Sequence, residues 1–103
     1  MAIMQFFNTK EIEEFATVLA SDLHRRFPPA SEARTDPGAK HQIKVILEGL
    51  AARAVRYQKE HKLGIYKKAK LGNVFKWKLK DLGYSEAFAE VATKEIVTRL
   101  AVN

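Results

Sequence analysis

The reading of residues 65–82, IYKKAKLGNVFKWKLKDL, decides the fold. Within it, Phe75-Lys76-Trp77-Lys78-Leu79-Lys80 alternates apolar and charged residues as a half-buried strand does. Gly72-Asn73 offers the two-residue turn of a hairpin. Register tests that hairpin. Such a turn pairs Leu71 with Val74, Ala69 with Lys76 and Lys68 with Trp77. Phe75, Trp77 and Leu79 would then share a face with Lys70, Lys68 and Tyr66, while Ile65, Ala69 and Leu71 pointed the other way. Two arms that bury opposite faces cannot rest on one core.

As a helix the segment is consistent. Leu71, Val74, Phe75, Leu79 and Leu82 fall in one apolar arc at about 100° per residue. Alanine, leucine and lysine favour helix, and Gly83 supplies a C-terminal stop. Gly72 weakens the middle by about 1 kcal/mol relative to alanine, so a kink or break is expected at Gly72-Asn73. The opposite arc collects Tyr66, Ala69, Lys70, Asn73, Lys76, Trp77 and Lys80. The apparent alternation therefore splits, with Phe75 and Leu79 inward and Trp77 outward. Lys67, Lys68 and Lys78 sit nearer the apolar arc and extend their ammonium groups past it.

The flanking segments also read as helix, giving an all-α bundle of about four helices over roughly 9–27, 37–62, 66–82 and 85–101. The first carries Ile12, Phe15, Ala16, Leu19 and Leu23 at helical spacing. Asn8 as N-cap with Glu11 three residues on reads as a capping box, and Phe7 with Ile12 as a hydrophobic staple. Pro28 ends the helix by disfavouring α geometry at Phe27. All three prolines lie in residues 28–38, PPASEARTDPG, long enough to be a functional loop but read first as a plain spacer. Asp36-Pro37 starts the second helix, with Ile43, Ile46, Leu47, Leu50, Ala54 and Tyr57 as its stripe. Arg53, Arg56, Lys59, His61 and Lys62 suit its C-terminal turns, and Gly64 its left-handed terminator. The last helix opens at Ser85 with Phe88, Val91, Ala92, Ile96 and Leu100 on one side. Short links at Gly64 and Gly83 predict that the last three helices are neighbours.

A chain of 103 residues reads as one domain, able to bury roughly 60% of its unfolded surface. It has no cysteine, hence no disulfide or thiolate site. The stretch MAIMQFFN lacks a basic leader, and no run is long enough to span a membrane, so a cytoplasmic location without membrane contact is expected.

The net charge of +6 is ordinary for a small domain, and its distribution says more. Residues 1–61 hold nine Lys/Arg against eight Asp/Glu, and residues 82–103 two against three. Residues 62–81 hold seven lysines against Asp81 alone, so the excess is local to the third helix.

No catalytic, phosphate-loop or metal motif is legible. His24, His41 and His61 stand 17 and 20 residues apart, and Glu11, Glu13 and Glu14 suit a helix N-terminus. A non-catalytic protein without cofactor or evident small-molecule substrate is expected. Three readings then compete for Tyr66, Lys70, Asn73, Lys76, Trp77 and Lys80. One is a solvated face. Another is a weakly sequence-specific contact with the DNA or RNA backbone, lysines meeting phosphates and aromatic rings meeting bases. Lysine lacks the bidentate fork that reads guanine. The third is a protein-interaction or homodimer surface anchored by Trp77 and Tyr66, to which Phe6 and Phe7 add apolar area.

Overall fold

Thr9, not Asn8, occupies the N-cap of the first helix in the computed structural model, which describes residues 9–102. Its hydroxyl donates to Glu13 Oε2 at 2.7 Å, and its carbonyl accepts the Glu13 N–H at 2.9 Å. Glu11 therefore stands one position too early for the expected capping box. Phe6, Phe7 and Asn8 lie outside the described residues, and the staple and Phe6/Phe7 surface with them. Four helices follow: α1 (Lys10–Arg26), α2 (Pro37–His61), α3 (Ile65–Asp81) and α4 (Glu86–Val102). The described residues contain no strand, so the basic segment is helical as its register argument requires.

Each helix ends for a local reason. Asp36 accepts the Ala39 N–H at 3.0 Å at the start of α2, with Pro37 in the first turn. Hydrogen bonds from Arg34 and from that N–H lower the Asp36 pKa. Ser85 Oγ accepts the Phe88 N–H at 3.1 Å at the start of α4. Gly83 has φ +103° after α3. Its N–H bonds Lys80 O and the Tyr84 N–H bonds Leu79 O, each at 3.1 Å, which is a Schellman stop. At the end of α2 the left-handed residue is Lys62 (φ 51°) rather than Gly64. The Leu63 N–H closes onto Gln58 O at 3.1 Å there, while Gly64 is extended and caps α3.

The pairing of helices departs from chain order. Glu13 lies by Lys70, and Thr17 and Val18 share a groove with Val74 and Lys78, so α1 and α3 run parallel in close contact. Lys76 meets Glu90 and Lys80 meets Glu86, so α3 and α4 are antiparallel. Gln58, buried on α2, donates to Leu100 O on α4. Phe15 stacks on Tyr57, and Gln42 reaches Arg26 O, so α2 runs against α1 with thinner contact. Around the bundle the order is thus α1, α3, α4, α2. The expectation that the last three helices are mutual neighbours fails, because α2 and α3 lie across the diagonal. Four Cα steps from His61 to Ile65 reach at most roughly 14 Å. That matches the diagonal, about 11–14 Å, of a square of helices 8–10 Å apart.

All four apolar stripes meet in one core, with Leu19, Leu23, Leu50, Leu71, Phe75, Leu79, Ile96 and Leu100 fully enclosed. Each contributes about 1.5–3 kcal/mol by leaving water. Val91 departs from its expected place: it is 64% exposed, and Ala89 takes the core position beside Ala92.

Helix α3 runs without a break through Gly72-Asn73. Gly72 is buried against α4, and a Cβ there would fall 2.7 Å from Val97 Cγ2. The glycine serves close helix approach rather than flexibility.

Residues 28–38 are also more than a spacer. Pro29–Ala33 form a 3₁₀ turn. Glu32 accepts the Ser85 N–H at 2.9 Å and the Ser85 hydroxyl at 2.6 Å. The buried Tyr84 hydroxyl donates to Phe27 O. These bonds tie the proline segment to the α3–α4 corner.

Candidate interaction surface on α3

Helix α3 places the six singled-out residues by its own periodicity, since Leu71, Phe75 and Leu79 fix which arc faces the core. Trp77 and Tyr66 are 55% and 50% exposed, and Asn73 is exposed between them. Ile65, at the start of the same helix, is 87% exposed. Lys70, Lys76 and Lys80 are half-buried along the two edges. The ridge expected from the helical wheel is therefore present.

The charges around it are not free. Lys70 Nζ lies 3.9 Å from Glu13 Oε2 on α1. Across the other edge, Lys76 Nζ stands 3.2 Å from Glu90 Oε1 and Lys80 Nζ 3.7 Å from Glu86 Oε1, both on α4. The Lys80 ammonium also sits 4.4 Å from the centroid of the Trp77 ring, a cation–π contact. Every lysine of the six thus faces a carboxylate from a neighbouring helix. Partly exposed pairs of this kind contribute only about 0–1 kcal/mol each.

Glu13, Glu86 and Glu90 are the residues that a segment-by-segment charge count misses. The short Gly83 link predicts α4 beside α3, but nothing in the sequence sets α1 there or pairs these glutamates with particular lysines. Lys67, Lys68 and Lys78, by contrast, have no carboxylate within 4.0 Å among the described residues, and all are half-buried.

No group of three or more His, Cys, Asp or Glu able to hold a metal occurs among the described residues. None of their helices is long and apolar enough to cross a membrane. The fold and surface define a small four-helix bundle with an exposed aromatic ridge bordered by lysine–glutamate pairs. Neither a family model, nor a curated protein, nor a solved structure matches the chain.

Proposed function

We propose that the outer face of α3 is a self-association surface through which two copies of the chain pair about a two-fold axis, with no catalytic role. The observation that carries this reading is Trp77, half out of water at the centre of a ridge whose edges hold both signs of charge. A large aromatic anchor inside a polar rim is the usual anatomy of a protein interface. A two-fold interface must also complement itself. Lys76 with Glu90 and Lys80 with Glu86 meet that condition, because each copy offers the partner of what the other presents. The exchange of pairs between copies leaves no charge buried alone.

Sedimentation equilibrium tests the proposal. The parent chain is expected to show a mass that rises toward twice the monomer with concentration, while Trp77→Ala stays monomeric. A parent that remains monomeric at every concentration, or a variant that associates equally well, removes the proposal.

A nucleic-acid reading of the same helix ranks second, supported by Lys67, Lys68 and Lys78, which lack carboxylate partners among the described residues. Three phosphate contacts on a single strand give a log–log salt slope of roughly −2. Anisotropy titration of the parent beside a Lys67/Lys68/Lys78→Gln variant decides it, and unchanged binding by the variant ends it.

A further inference from the structure

Three arginines converge on one carboxylate where α1 meets α2. Asp22, on α1 with its side chain only 11% exposed, receives the guanidinium groups of Arg25, Arg26 and Arg53. Arg25 bonds Oδ1, while Arg26 and Arg53 each approach Oδ2 at 3.3 Å. No second carboxylate lies within 4.0 Å of any of the three among the described residues, so three positive charges against one negative leave a surplus of two. Each guanidinium carries five N–H donors in a fixed fork, far more than one carboxylate can accept.

Asp22, Arg25 and Arg53 line one surface depression of about 470 Å³, which Thr17, Val18 and Ser21 complete. Val18, Ser21 and Arg25 stand at i, i+3 and i+7 on one face of α1, so the depression runs about 10 Å along that helix. Its two ends differ in chemistry. At the arginine end, Ser21 adds an exposed hydroxyl able to donate to an oxyanion. At the other end the Thr17 hydroxyl already donates to Glu13 O at 2.8 Å, and Val18 is 51% exposed. The lining there is methyl groups without charge.

We infer that this depression binds a phosphate monoester of a small molecule, its phosphate held by Arg25 and Arg53 and its organic group over Thr17 and Val18. A phosphate monoester carries about 1.5 to 2 negative charges at neutral pH, which matches the surplus. A planar guanidinium fork takes two phosphate oxygens at once. Asp22 organises the site: with both of its oxygens occupied, it holds an arginine from α1 and one from α2 at the same point. The site is separate from α3, so its test is independent of self-association.

The test is calorimetric titration of the full chain with phenyl phosphate and with inorganic phosphate, both at low salt. Phenyl phosphate is expected to bind more tightly than inorganic phosphate. Arg25→Gln is expected to weaken both about tenfold or more, the loss typical of one charge-assisted hydrogen bond. The Arg25 side chain is 76% exposed at the solvent rim, so this variant keeps the Arg53–Asp22 link between α1 and α2. Val18→Ser is expected to remove the preference for phenyl phosphate and to bind inorganic phosphate as the parent does. Trp77→Ala and the Lys67/Lys68/Lys78→Gln variant are expected to bind both ligands as the parent does. Absence of binding, binding indifferent to Arg25→Gln, or binding lost with the three lysines overturns the site. Inorganic phosphate that binds as tightly as phenyl phosphate overturns the assignment to a monoester.

Discussion

Gly72 on α3 lies directly against Val97 on α4, so that a Cβ at position 72 would stand 2.7 Å from Val97 Cγ2. Valine in a helix has one strongly preferred rotamer and cannot easily turn away. Replacing glycine by alanine favours the helix by about 1 kcal/mol, whereas overpacking costs about 1–3 kcal/mol. Gly72→Ala is therefore expected to destabilise the parent by about 1 kcal/mol. In a Val97→Ala background the same change is expected to stabilise. Urea midpoints of the four proteins give the answer, and an equal effect in both backgrounds would show that the contact does not couple the helices.

Tyr84 makes stability fall at high pH. Burial, and secondarily the Glu32 carboxylate, push its pKa from 10.0 up to about 12. The neutral hydroxyl is the form the folded chain favours. Its contribution is complete below pH 10 and is lost as pH rises through about 12. Denaturant titrations from neutral to strongly alkaline pH are expected to show this decline. Tyr84→Phe should lose about 1–2 kcal/mol at neutral pH, by orphaning Phe27 O, and decline less steeply afterwards. A variant with an unaltered alkaline limb would assign the decline to other groups.

Thr93 shares the Gly72 contact, and its Oγ1 is buried with no hydrogen-bond partner among the described residues. A buried hydroxyl without a partner is destabilising relative to a methyl group of the same size. Thr93→Val is expected to raise stability by about 1 kcal/mol, read from the thermal or urea midpoint. A loss of stability would mean that the hydroxyl has a partner in solution.

Helical periodicity and register were legible in the sequence because they are local. Leu71, Phe75 and Leu79 recur on one arc, Asp36-Pro37 is a start, and Gly83 is a stop, whatever else the chain does. What depended on distant residues was not legible. Gly72 looked like a weak point because Val97 lies 25 positions away, and the proline segment looked idle because Glu32 meets Ser85 from 53 positions away. The aromatic ridge followed from the wheel, but its charge balance did not, since Glu13, Glu86 and Glu90 arrive only when α1 and α4 flank α3. The Arg53–Asp22 link likewise joins two helices, and only the Asp22-Arg25-Arg26 spacing hints at it.

Trp77 emission across a dilution series tests the central claim most directly, because this is the chain's only tryptophan and it forms the centre of the proposed contact. In dilute solution the half-exposed ring is expected to emit at long wavelength and to be quenched readily by iodide. As concentration rises, burial between two copies should shift the emission to the blue and protect it from iodide, in step with the rise in sedimenting mass. An emission that stays red and quenchable while the mass doubles would place the contact elsewhere. Red emission with constant monomer mass at every concentration would contradict self-association through α3 altogether.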